Sequence, residues 1–159
     1  MEVLFISDLH LDPAQPQIST ALIRFLKARA LQARALYILG DLFEVWLGDD
    51  DDAEFLSPVL DALQAFAQQR KLYLMHGNRD FLIGEHLAQS LNAQLLPDPY
   101  LLSLGNRKVA LMHGDSLCTD DVDYQNFRQL VRNPQWQQNF LAQSLTERRQ
   151  IAADLRKKS

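Results

Sequence analysis

The chain has 159 residues, 47% of them hydrophobic and 23% charged, with a net charge of −4 and one cysteine. That length suits one compact domain burying roughly 70% of its unfolded surface, and the mixed charge excludes a disordered polyelectrolyte. The lone Cys118 excludes a disulfide framework and a Cys-rich zinc site and fits a reducing compartment, while the net negative charge gives no attraction to nucleic acid.

Val3-Leu4-Phe5-Ile6 opens the chain as an apolar run, expected of a strand buried on both faces. No basic segment precedes it, so it does not read as a signal peptide, and no apolar run approaches the roughly 20 residues that cross a bilayer. Residues 17–33 carry Ile18, Leu22, Phe25, Leu26 and Leu31 at about helical spacing. Residues 35–39 read as a second buried strand, followed by Gly40-Asp41. Pro58 suits the first turn of a helix to about Arg70, with Val59, Leu60, Leu63 and Phe66 inside. Residues 72–75 form a third expected strand ending at His76-Gly77-Asn78, and a short helix over 82–91 follows. Residues 101–104 and 109–112 flank Gly105-Asn106-Arg107 as a hairpin, which ends at His113-Gly114-Asp115. This alternation predicts an α/β fold with a mostly parallel sheet. From about Asp120 the pattern is helical alone, so residues 1–119 are expected to form a core and residues 120–159 an added helical layer.

Four apolar runs end in ligand-type groups: Ser7-Asp8-Leu9-His10, Gly40-Asp41, Gly77-Asn78-Arg79-Asp80 and His113-Gly114-Asp115. In open α/β sheets the carboxyl ends of the strands form the ligand crevice. Asp, His and Asn supply O and N donors suited to manganese, iron or zinc without a thiolate. Any one such group reads as an ordinary turn or helix cap. Four in this order point to a metal centre.

The order Asp-x-His, Gly-Asp, Gly-Asn-x-Asp, His resembles the calcineurin-like metallophosphoesterases, which hold two metal ions at strand ends. The longer strings Ser-Asp-Leu-His-Leu, Tyr-Ile-Leu-Gly-Asp-Leu-Phe-Glu, His-Gly-Asn-Arg-Asp-Phe-Leu-Ile-Gly and Met-His-Gly-Asp-Ser-Leu-Cys-Thr-Asp-Asp are similar to its subfamily of UDP-2,3-diacylglucosamine hydrolases. Arg79 marks that subfamily, because general members have His there. The resemblance implies a β-sandwich flanked by helices, incomplete in this chain, with a helical cap insertion. It implies two manganese ions, iron and zinc being alternatives. Asp8 and His10 then match ligands of one metal, Asp41 the bridging carboxylate, and Asn78 and His113 ligands of the other. The implied reaction is attack of metal-activated water on the α-phosphorus, giving UMP and 2,3-diacylglucosamine 1-phosphate for lipid A synthesis. Asn78, Arg79, Asp121 and Ser159 match substrate contacts, with Arg79 stabilising a phosphate oxygen through its planar fork of donors. Tyr124 is expected nearby.

Other polar residues read as structural. His76 is expected to be packed and hydrogen-bonded, His86 exposed, and Cys118 a small packing residue. Asp80 and Asp115 are expected to brace ligand loops, and Asp49 to Asp52 to form a solvated loop before a helix. For the tail, periodicity favours packing of Trp136, Phe140, Leu141, Leu145, Ile151 and Leu155 on the core. The resemblance favours a cap that takes up acyl chains. Residues 147–158 hold Arg148, Arg149, Arg156, Lys157 and Lys158 against Glu147 and Asp154, a basic stretch suited to anionic headgroups. Peripheral association with the cytoplasmic face of the inner membrane of a Gram-negative bacterium is therefore expected, with no nucleic acid and no obligate protein partner.

Two alternatives stand beside this reading: action on another nucleotide diphosphate, or a metal-binding fold without turnover. The second arises because the resemblance implies a further Gly-His-x-His, and no histidine follows His113. Five of the seven implied ligand positions are present, so the chain as written is expected to bind metal weakly and turn over little. Its second sheet is expected to be incomplete, with an exposed apolar surface, and its end to fall inside the cap.

Overall fold

The chain is described by a computed structural model covering residues 2–157, so Lys158 and the expected substrate contact Ser159 lie outside the described residues. The first three apolar runs form parallel strands β1 (Val3–Ile6), β2 (Ala35–Leu39) and β3 (Lys71–Met75). An unexpected fourth parallel strand, β4 (Gln94–Leu96), pairs beside β3, giving the order β1-β2-β3-β4. Three residues are too few to display a hydrophobic period, so β4 exists through its pairing with residues 73–75.

The pleat sends alternate side chains to opposite faces. Leu36, Ile38, Leu72 and Leu74 face a core shared with helices α1 (Pro16–Lys27), α2 (Leu56–Ala67) and α3 (Glu85–Ser90). Helix α1 stops short of residue 33. The chain leaves it at Ala28 and enters a 3-10 turn over Ala30–Gln32, which drops Ala30 into the core. Pro58 is the third residue of α2, inside the first turn, where no intrahelical acceptor is required.

On the other face lies the antiparallel hairpin β5 (Tyr100–Leu104) and β6 (Arg107–Leu111), closed by Gly105-Asn106 with Gly105 at φ +59°. Leu102, Val109 and Leu111 pack on Ala35, Tyr37 and Met75. The expectation that the first strand is buried on both faces fails at Phe5, which is 39% exposed. Strand β1 is the sheet edge, and the two-stranded hairpin packs over β2 and β3. Phe5 stacks on Tyr37 at 5.2 Å, and Tyr37 on Tyr73 at 4.4 Å. Leu101, on the outside of the hairpin, is 72% exposed.

The tail is helical throughout: α4 (Val122–Arg132), α5 (Pro134–Leu141) and α6 (Leu145–Lys157). Phe140 is buried in the helix-side core, with Trp136 and Ile151 packed against it, while Leu141 and Leu155 stay exposed. The acidic run forms the expected loop before a helix, with Asp50 and Asp52 exposed, and its carboxylates are also tied to their surroundings. Asp49 accepts from the N–H of Gly84 and Leu87, capping α3, and from Trp46 Nε1. Asp50 takes a two-pronged contact from buried Arg148, and Asp52 pairs with Arg149 at 2.7 Å. A run of carboxylates would repel itself; α6 supplies the neutralising arginines. Within the basic stretch, Arg148, Arg149 and Arg156 each face carboxylates of this chain.

Candidate metal centre

Beyond β1 and β2 the two chains continue side by side. Asp8 N–H donates to Gly40 O, His10 N–H to Asp41 O, Leu11 N–H to Leu42 O and Glu44 N–H to Leu11 O, all at 2.9–3.1 Å. Asp8, His10 and Asp41 take φ of 58°, 50° and 52°. This left-handed backbone costs non-glycine residues on the order of 1 kcal/mol each, and it falls on the residues whose side chains converge. Two glycines permit the convergence. A Cβ on Gly40 would stand 2.5 Å from His113 Nδ1, and one on Gly77 would overlap the Asp41 carboxylate.

Around buried Asp41 the structure gathers all five residues expected to be ligands. Its Oδ2 lies 3.3 Å from His113 Nε2 and 3.6 Å from His10 Nε2. Asp8 Oδ1 is 3.7 Å from His10 Nε2 and 4.0 Å from His113 Nε2. One end of the Asn78 amide sits 2.6 Å from Asp41 Oδ2 and 3.0 Å from His113 Nε2. His113 Nδ1 is 2.8 Å from Leu39 O. A proton on Nδ1 makes that bond, so that Nε2 is the ring atom facing the cluster, where loss of its own proton would free a lone pair for a metal.

The electrostatics follow from the crowding. Burial pushes the Asp41 carboxyl up, but His113 and the Arg79 N–H at 2.8 Å outweigh it and hold it below the usual range. The contact with Asp41 raises His113 to about 9. The donor set fits a divalent cation: two carboxylates, two imidazoles and an amide, with no thiolate. Ligand atoms of Asp8, Asp41 and His113 lie within 4.8 Å of one another.

Supporting residues fall as expected in several places. Asp80, fully buried, accepts from the backbone N–H of Gly77, Leu42 and Asp41. Asp115 accepts from Tyr124 Oη at 2.6 Å and Arg128 Nε at 2.9 Å, bracing the His113 loop against α4. His76 is packed, with Nε2 against Ile83 O, and burial lowers its pKa. His86 is exposed. Cys118 is exposed instead of packed, because its segment is held through its carbonyl, which accepts from Gln125. Tyr124 spends its hydroxyl on Asp115, and Asp121 caps α4 by accepting Tyr124 N–H. The sequence reading missed Arg132, which donates to Gly77 O at 2.9 Å, and Glu44, which meets His10 Nδ1 at 3.1 Å. Glu44 stands three residues after Asp41, but the bridge Leu11↔Phe43 is what sets it beside His10.

Residues 1–155 match the calcineurin-like phosphoesterase family, and the chain belongs to that family. A protein of unknown function from Aquifex aeolicus shares the fold, with a TM-score of 0.50 and 17% identity over 82% of this chain and 72% of its own. Much nearer in sequence are curated relatives named UDP-2,3-diacylglucosamine hydrolase. Those of Serratia proteamaculans and Chromobacterium violaceum are each 49% identical, matching 100% of this chain and 67% of their own length. That of Aromatoleum aromaticum is 50% identical over 98% of this chain and 64% of its own. The chain thus spans about two thirds of the length of the curated relatives it matches.

Proposed function

We propose that this chain carries the metal-binding core of a hydrolase that splits the pyrophosphate of UDP-2,3-diacylglucosamine into UMP and 2,3-diacylglucosamine 1-phosphate, in lipid A synthesis. The observation that carries the reading is the convergence of Asp8, His10, Asp41, Asn78 and His113 at the ends of four strands, in a chain about half identical to hydrolases of that name. Divalent cations held there, manganese in this proposal, supply Lewis-acid polarisation of phosphoryl oxygens and lower the pKa of water. Asp8 and His10 would serve one ion, Asn78 and His113 the other, with Asp41 between them.

The remaining work falls to the chain itself. Arg79, 39% exposed, has its guanidinium at the rim of the cluster, placed to bind a phosphate oxygen and offset charge on it. Asp121 is exposed at the start of α4 and is assigned to the substrate. Helices α4–α6 form the cap in this reading, and acyl chains lie against their exposed apolar residues Val122, Leu130 and Leu141. The diacylated substrate places the reaction at the cytoplasmic face of the inner membrane. No helix among the described residues is long and apolar enough to cross a membrane, and the contact proposed there is peripheral. Its support is substrate chemistry more than the basic stretch, whose arginines face carboxylates.

The test compares manganese-dependent hydrolysis of UDP-2,3-diacylglucosamine with that of its deacylated analogue. The ratio is the readout, because five donors predict a low absolute rate. A strong preference for the acylated substrate is expected; equal rates would remove the lipid assignment and favour another nucleotide diphosphate.

A further inference from the structure

Glu44 is three-quarters buried and faces three groups with its two oxygens. Oε2 lies 3.1 Å from His10 Nδ1, while Oε1 lies 3.5 Å from Arg79 Nη1 and 3.5 Å from Arg156 Nη2 of α6. Its place is built into the backbone, since Glu44 N–H donates to Leu11 O and the bridge Leu11↔Phe43 extends the β1–β2 pairing. That pairing fixes the Glu44 backbone beside His10, within reach of its ring. The other nitrogen of the ring, Nε2, points at Asp8 and Asp41.

We infer that Glu44 is a positioning residue that acts through His10. It takes the Nδ1 proton, so that the Nε2 lone pair is presented to the cluster, and its second oxygen keeps the Arg79 guanidinium beside the same site. The inference rests on the metal-centre reading above and adds to it a carboxylate outside the donor set. Imidazole ligands generally need such a partner to fix tautomer and ring orientation, and losing it typically weakens metal binding about 10- to 100-fold. The competing role is mechanical: Glu44 as an anchor for α6 through Arg156. The two roles part at Arg156, which joins α6 to Glu44 at 3.5 Å and to Asp12 at 3.6 Å, so that its loss removes the anchor and leaves the contact of Glu44 with His10.

The test titrates the full chain with manganese alone, following the free-ion signal, for the parent, Glu44→Ala, Glu44→Gln and Arg156→Ala. Circular dichroism establishes that each is folded. Glu44→Ala should lose about 10- to 100-fold in affinity, Glu44→Gln less because its amide oxygen still accepts the Nδ1 proton, and Arg156→Ala less than about twofold. Glu44→Ala binding as the parent does, or Arg156→Ala matching its loss, would overturn the inference. A parent that takes up no manganese would overturn the metal-centre reading, and this one with it. Should Glu44→Ala not fold, nuclear magnetic resonance of the zinc-loaded parent decides. A slowly exchanging Nδ1 proton on His10 supports the inference, and coordination through Nδ1 overturns it.

Discussion

The Asp80 carboxylate accepts the backbone N–H of Leu42 at 2.8 Å, joining residues 38 apart in the chain. Its other oxygen takes Gly77 N–H at 2.8 Å and Asp41 N–H at 3.2 Å. One fully buried side chain thus sets the spacing between the loop of Asp41 and the loop of Asn78. Asp80→Asn puts an NH2 group against N–H donors, leaving donors unpaired in the interior. We expect a loss of about 2–4 kcal/mol in urea unfolding. A loss under about 1 kcal/mol would show that the two loops are held by something else.

This bracket illustrates what could be read from the sequence and what could not. Asp8, His10, Asp41 and Asn78 were readable because each follows an apolar run long enough to identify a strand, and parallel strands deliver their ends to one edge; His113 was readable as the end of the second hairpin strand. Strand β4 was not, because Gln94-Leu95-Leu96 is defined by its neighbour. The pairing of Asp50 with Arg148 spans 98 residues and has no local signature. Glu44 falls in the same class: its partner His10 belongs to another strand's continuation, and only the register of the bridge brings them together.

His113 makes metal binding depend on pH. Its contact with Asp41 raises it from 6.5 to about 9, so without metal it is an imidazolium at neutral pH. Because the folded value exceeds the unfolded one, this pair stabilises the metal-free protein fully below about pH 6.5, and the effect is lost as pH rises through about 9. A metal needs the Nε2 lone pair, so binding in that window expels a proton. Manganese affinity should therefore rise roughly tenfold per pH unit between about 6.5 and 9. Calorimetry in buffers of differing ionisation enthalpy counts the proton. A flat affinity over the window would exclude His113 as a proton-linked ligand.

The strained ligand backbone predicts a trade of stability for function. Asp8 sits at φ 58° beside a second carboxylate, Asp41. Glycine adopts this conformation without steric cost. Asp8→Gly should stabilise the metal-free protein by on the order of 1 kcal/mol while removing a metal donor. Thermal unfolding with and without manganese checks both halves. The parent should gain in melting temperature on adding the ion, and the variant should gain nothing. A variant less stable than the parent without metal would mean that Asp8's contacts with the two histidines, together with the freedom glycine adds to the unfolded chain, outweigh the strain.

Helix α6 offers a test of what holds the helical tail to the core. Arg148 is 3% exposed and donates to Leu47 O, Gln143 O and both oxygens of Asp50. Arg148→Met keeps the apolar stem and removes all of these bonds, leaving the Leu47 carbonyl buried without its donor. The cost should appear locally, as an opening free energy lower by about 1–3 kcal/mol across residues 145–157. Hydrogen exchange there should speed up about 10- to 100-fold, while β2 and β3 amides keep their protection. Unchanged exchange in α6 would assign its docking to the apolar contacts of Trp136, Phe140 and Ile151 with the core. The arginines would then serve only to neutralise the acidic run at Asp50–Asp52.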